Sequence, residues 1–91
     1  MKKNEKAVIT IIGQDHPGIL AGAATQVAEV NGNVLSVSQA VMEGIFTMTM
    51  IIDIAGMTVP LDSLEEKVAA AVPDMKVKVM HENIFNAMHT I

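Results

Sequence analysis

The sequence predicts an α+β protein with a ferredoxin-like βαββαβ fold, in which two helices cover one face of a four-stranded antiparallel sheet. Segments with the alternation of strands and segments with the spacing of amphipathic helices follow one another in the order strand, helix, strand, strand, helix, strand. The chain has 91 residues, which suits one domain of this kind. Right-handed crossovers then place both helices on the same side of the sheet.

The first half of the chain predicts a strand, a helix and a second strand. Residues 7–13 are mostly β-branched and end in a glycine, as a strand does. Pro17 suits the first turn of the helix that follows, and Asn31-Gly32 supplies its left-handed stop. The apolar residues between them recur on one helical face: Ile19, Leu20, Ala23, Ala24, Val27 and Ala28.

The second half begins with a β-hairpin. Residues 33–42 and 45–54 are joined only by Glu43-Gly44, a connection too short for anything but a tight turn. The third strand alternates, with an inward-facing set of Phe46, Met48, Met50 and Ile52. Residues 61–72 keep helical spacing with acidic residues early, and residues 75–80 alternate as the fourth strand.

Two features go beyond the minimal fold. The first strand carries apolar residues on both faces (Val8, Ile9, Ile11 and Ile12), so something covers part of the outer sheet face. The tail, residues 81–91, has apolar residues at helical spacing: Ile84, Phe85, Met88 and Ile91. We therefore expect one domain over residues 1–91 with a core at 6–80. A short C-terminal helix covers the sheet of its own subunit or a partner's, with a frayed tail as the alternative.

Composition excludes several classes of function. The chain has no cysteine, so it builds no disulfide or thiolate metal site. Its six basic residues, all lysines, face ten acidic ones, and it has only two aromatic residues, which argues against nucleic acid. No apolar run is long enough to cross a membrane, and no secretory signal is evident, so we expect a cytoplasmic protein. At 51% hydrophobic residues, some apolar surface is expected to lie against a second copy.

The segment with chemical potential is the loop between the first strand and the first helix. Backbone N–H groups at Gly18, Ile19 and Leu20 begin a helix and suit a carboxylate, and Asp15 beside them suits an ammonium group. A free amino acid carries both groups. The alternative is an ordinary helix start that Asp15 caps.

The other polar residues give weaker indications. His16, His81 and His89, with Glu82, would need the tail to fold back or to pair across a dimer before they approached a metal, and we expect no metal site or cofactor. No serine lies beside a histidine in sequence, and adjacent loop residues such as Asp15 and His16 seldom point together. We therefore expect no catalytic residues and no enzymatic activity.

Two motifs in this chain resemble those of the ACT domain family. The first is Asp15-His-Pro-Gly-Ile-Leu20, where the family usually has Asp-Arg-Pro-Gly and an aliphatic pair, and the second is Gly32-Asn33-Val34. The resemblance covers residues 6–80. It is closest to the stand-alone proteins related to the glycine-cleavage-system repressor and to the N-terminal domain of formyltetrahydrofolate deformylase.

The resemblance implies a regulatory module that forms side-by-side dimers and binds amino acids between subunits. By position, it carries ligand contacts onto Asp15, Gly18 and Ile19 of the first loop and onto Asn33 of the neighbouring subunit, which faces that loop. The candidate ligand-binding residues of this chain are Asp15, His16, Pro17, Gly18, Ile19, Leu20 and Asn33. The residues themselves support edge pairing, because residues 33–42 include no charge and an uncharged edge strand is a liability unless it is paired. The expected partners are a second copy and a small amino acid, without nucleic acid or membrane.

One position departs from the family pattern. Amino-acid-binding ACT domains of the dehydrogenase type place a histidine where this chain has Gly13. That difference, together with the apolar tail, favours an alternative function: a ligand-free module that docks on a metabolic enzyme or regulator.

Overall fold

Residues 5–88, which the structure describes, form four strands and three helices in this computed structural model. The strands are β1 (Lys6–Gln14), β2 (Asn33–Met42), β3 (Ile45–Asp53) and β4 (Met75–His81). The helices are α1 (Ile19–Glu29), α2 (Leu61–Ala71) and α3 (Glu82–Met88). All pairings are antiparallel and the strand order is β2-β3-β1-β4. The predicted ferredoxin-like fold with a short C-terminal helix is confirmed.

The core lies between the sheet and the helices α1 and α2. The inward-facing set predicted for β3 is buried in full, and it packs with Ile9 and Ile11 of β1. The helices contribute Val27 from α1 and Leu64 and Val68 from α2, each with no exposed surface. The alternating residues of the strands and the helically spaced residues of α1 and α2 therefore pack into one apolar layer.

Left-handed residues end α1 and close the hairpin. Asn31 has φ 65°, and a Schellman motif joins the Asn31 N–H to the Ala28 carbonyl and the Gly32 N–H to the Val27 carbonyl. Glu43 and Gly44 have φ 55° and 80°, the two positive values of a type I′ turn. Both predicted turns are therefore formed by the residues expected to form them.

The outer face of the sheet, opposite α1 and α2, is covered at one end only. Val8 is 2% exposed yet lies outside the core between the sheet and the two long helices. The helix α3 follows His81, which pairs with Ala7, and it packs on β1 and β4 at that end. At the other end of β1, Ile12 is 48% exposed. Of the predicted tail stripe, Phe85 is half-buried and Ile84 exposed, while Ile91 lies outside the described residues.

The two edges of the sheet differ. On β4, the Val79 N–H donates to Oε1 of Glu65 in α2 at 2.8 Å, so a helix side chain protects that edge. On β2, a bulge at Leu35 interrupts the register with β3, and every residue from Leu35 to Met42 is exposed. None of the helices within residues 5–88 is long and apolar enough to span a membrane.

The α1 stop provides a test of the fold. Asn31 satisfies a left-handed backbone and also donates from Nδ2 to the Gly56 carbonyl at 2.9 Å. Asn31→Gly keeps the backbone preference and loses that bond, so we expect unfolding free energy to fall by about 1 kcal/mol. Asn31→Ala loses both and should cost about 2 kcal/mol. Urea denaturation measures both variants, and equal losses would show that the left-handed backbone does not limit stability.

Candidate functional site

The candidate loop is held against the β2–β3 turn. The strand β1 ends at Gln14, and the next residue, Asp15, donates its backbone N–H to the Gly44 carbonyl at 3.0 Å. The first crossover therefore starts beside the hairpin. The carboxylate of Asp15 is left exposed to solvent.

The start of α1 has no side-chain cap. Gly18 is the N-cap residue, with φ 88°, and its carbonyl accepts the N–H of Gly22 at 2.9 Å. The alternative in which Asp15 caps the helix is therefore wrong. The prediction that Pro17 sits in the first helical turn is also wrong, because the left-handed Gly18 separates it from Ile19, where the helix begins.

This helix start offers backbone donors to a ligand. The first N–H groups of an α-helix have no partner within the helix, and the first turn of α1 contains no acidic residue. The side chain of Ile19 is buried in the core, so only its backbone is available, whereas Leu20 is 37% exposed. Together with the helix dipole, these amides favour an anionic group.

His16 is engaged with its own loop. Its Nδ1 lies 2.9 Å from the Pro17 carbonyl oxygen, so the tautomer protonated at Nδ1 donates to that oxygen. The ring is exposed. This places the imidazole at the rim of the loop.

A cavity of about 400 Å³ lies at this junction. Its lining residues are Gln14, Asp15, His16 and Asp74. Two carboxylates thus approach one cavity, which favours a cationic group such as an ammonium. The sequence analysis did not identify Gln14 or Asp74 as lining residues. Gly13 pairs with Met75 in the sheet, and this register places residue 74 beside the loop.

Gly13 packs closely against β4. A Cβ on this residue would lie 2.5 Å from Sδ of Met75 and 3.2 Å from the carbonyl oxygen of Asp74. The space that a side chain would need is therefore filled by β4. The absence of a histidine here is tied to this packing, and it keeps Asp74 close to the cavity.

Asn33 does not lie beside this loop in the same subunit. It pairs with Asp53, which also pairs with Lys6, so it lies at the sheet end opposite Gln14. Eight residue steps along β1 put about 27 Å between the two ends. Only Asn33 of a neighbouring subunit can approach the loop, which is how the resemblance places it.

The histidines considered for a metal site are also separated. His16 follows β1 at the cavity end, whereas His81 pairs with Ala7 at the opposite end. His81 Nε2 instead lies 3.7 Å from Oε2 of Glu5, and His89 is outside the described residues. Among residues 5–88, no three histidine, aspartate or glutamate side chains converge in a geometry that could hold a metal ion.

The fold and the polar cavity at the β1–α1 junction define a small ferredoxin-like domain with a site of ligand size. A sequence model of the ACT domain matches residues 5–83, so this chain belongs to the ACT domain family. Members of this family are generally regulatory modules that bind small molecules.

Three similar proteins illustrate the family. A UPF0237 protein of Listeria monocytogenes is 43% identical over 88 residues, which cover 94% of this chain and 99% of that protein. An ACT domain protein from Streptococcus pneumoniae superposes with a TM-score of 0.75 at 26% identity, covering 98% of this chain and 99% of that one. A formyltetrahydrofolate deformylase from Pseudomonas syringae shares the fold, with a TM-score of 0.76 at 20% identity over 89% of this chain and 28% of that enzyme.

Substitution of Gly13 tests the packing beneath the cavity. Gly13→Ala forces Met75 and the backbone at Asp74 to shift, so we expect unfolding free energy to fall by about 1–3 kcal/mol. Gly22→Ala is the control, because its Cβ would meet Ala71 and Val72 at ordinary contact distances of 3.5 Å. That variant should gain about 1 kcal/mol from helix propensity. Thermal or urea unfolding measures both, and a Gly13→Ala protein as stable as the parent contradicts the close packing.

Proposed function

We propose that this protein is a homodimeric, non-catalytic regulatory module of the cytoplasm that binds an amino acid or a similar small zwitterion between its subunits. The observation that carries the proposal is the cavity at the β1–α1 junction, which Asp15 and Asp74 line and which lies three residues along the chain from the uncapped start of α1 at Gly18. The family's general role as a small-molecule sensor agrees with it.

The two ends of an α-amino acid find opposite chemistry at this junction. The ammonium group is held by the carboxylates of Asp15 and Asp74, which line the cavity. The carboxylate accepts hydrogen bonds from the backbone N–H groups that begin α1, with Gly18 allowing close approach. His16 and Gln14 offer neutral polar groups to whatever side chain the ligand carries.

The dimer pairs β2 of one subunit with β2 of the other in antiparallel fashion. Among residues 5–88, this edge pairs with no other strand; it has no charge and exposes Leu35, Val37 and Val41, whereas Glu65 protects the other edge. Antiparallel pairing brings the beginning of the partner strand to the end of this one. The partner's Asn33 then approaches Met42 and the nearby loop, which completes the site across the interface.

A specific observation also favours the alternative function. The exposed apolar side chains of β2 would accept an added strand from a metabolic enzyme or regulator as readily as from a second copy. Met75 occupies the space where ligand-binding relatives carry a histidine, so such a module could act without a ligand. Ligand measurements separate the two.

A thermal-shift panel of the common amino acids tests ligand binding. A ligand at about one hundred times its dissociation constant adds roughly 2.7 kcal/mol, which raises the melting temperature by several degrees. We expect a selective rise for one or two amino acids.

Variants of the loop identify the contact. Asp15→Asn keeps the shape and removes the charge, so affinity should fall about 10–100-fold. Asp62→Asn, on α2, is the control and should bind as the parent does. A flat panel from a well-folded dimer contradicts the ligand proposal and supports docking on a protein.

Ser38→Lys tests the β2 edge. Ser38 lies in the middle of the uncharged strand, and two lysines opposed across a paired edge repel each other. We expect sedimentation to show a dissociation constant raised about tenfold or more. Thr25→Lys, on the exposed side of α1, is the control. An unaltered dimer in Ser38→Lys removes β2 from the interface.

A further inference from the structure

Residues 5–88 leave half of the outer sheet face uncovered, and of that half the proposed function uses only Met42, at the end of β2. Its apolar residues are Ile12, Met42 and Ile45, which are 48%, 72% and 46% exposed. They lie at the hairpin end of the sheet, since Gln14, Met42 and Ile45 are in register. We call these three residues, on the face opposite α1 and α2, the hairpin patch.

The helix α3 cannot cover this patch in its own subunit. Its seven residues span about 10 Å, whereas the nine residues of β1 span about 30 Å. Its packing on β1 and β4 begins at the opposite end, over Val8. Within the part of the chain that the structure describes, half of the outer face therefore stays exposed.

Two basic side chains lie on the outer face near the hairpin patch. Although the chain has a net charge of −4, this face carries Lys76 beside Ile12 and Lys78 beside Thr10. An occupant that is apolar and acidic would match it. The helix α3 has both properties, because it exposes Ile84 at 56% and begins with Glu82.

A two-fold axis between two outer faces, perpendicular to the strands, brings these features together. Such an axis reverses strand direction, so the covered end of one sheet lies over the open end of the other. It also keeps β1 and β4 above their counterparts. Each α3 then reaches the partner's Ile12 and Lys76.

We propose that this protein self-associates through the outer face, with α3 of each copy seated on the hairpin patch of the other. Ile84 packs on the partner's Ile12, and Glu82 lies beside the partner's Lys76. The contact is self-complementary, because each chain supplies one helix and one patch. Apart from Met42, which ends β2, the hairpin patch is separate from the β2 edge.

Sedimentation velocity over a concentration series tests the contact. Ile84→Asp and Ile12→Asp should each weaken outer-face association about tenfold or more, while circular dichroism shows the parent's fold. Ala28→Asp, on exposed α1, is the control and should associate as the parent does. Unchanged association in both isoleucine variants overturns the proposal.

A charge exchange tests the orientation. Lys76→Glu and Glu82→Lys should each weaken association, and the double variant should recover most of it. Single variants that associate like the parent, or a double variant weaker than both, overturn the arrangement. In Ser38→Lys protein, outer-face dimers should persist, so loss of the β2 contact is distinguished from loss of the outer-face contact. A monomeric parent at about 100 μM overturns both contacts, and the amino-acid panel reports on the ligand site independently.

Discussion

The rest of the structure depends on β1 being paired along both of its edges. The strand aligns with β3 on one side and β4 on the other, so it is central in the sheet. Because helices pack on both faces of the sheet at this strand, β1 carries apolar residues on both faces. Ile9 and Ile11 anchor α1 and α2, and Val8 anchors α3. Because β1 ends at Gln14, the neighbouring strands bring Gly44 and Asp74 to that same end. The cavity thus lies where β1 ends and where β3 and β4 begin.

Packing limits and electrostatics at the cavity are coupled. Gly13 allows Met75 and the Asp74 backbone to approach β1, which brings a second carboxylate beside Asp15. The uncapped start of α1 supplies the opposite polarity a few residues away. This junction offers negative charge from carboxylates and partial positive charge from the start of α1, without an ion pair between its own side chains. It is therefore suited to a ligand that carries both a positive and a negative charge.

The sequence was sufficient for the fold because periodicity and turn chemistry agree at every element. The type I′ turn at Glu43-Gly44 and the stop at Asn31 fix boundaries that alternation alone leaves loose. The residues that line the cavity could be anticipated only in part. Asp15 and His16 are among the candidate residues of the sequence, whereas Asp74 precedes another strand, and its proximity depends on register. Pro17 was misplaced because a left-handed Gly18 interrupts the helical pattern before it starts.

The same small size that makes the fold predictable also leaves its surfaces incomplete. A two-layer domain of this length has one helix-covered face, and its single sheet keeps an open edge and an open outer face. Glu65 protects the edge at β4 and α3 covers half of the outer face, so the chain itself covers one edge and part of the outer face. What is left uncovered, β2 and the hairpin patch, is apolar and faces in different directions. One second copy cannot cover both, because each surface needs its own two-fold contact, so a β2-paired dimer leaves the hairpin patch exposed.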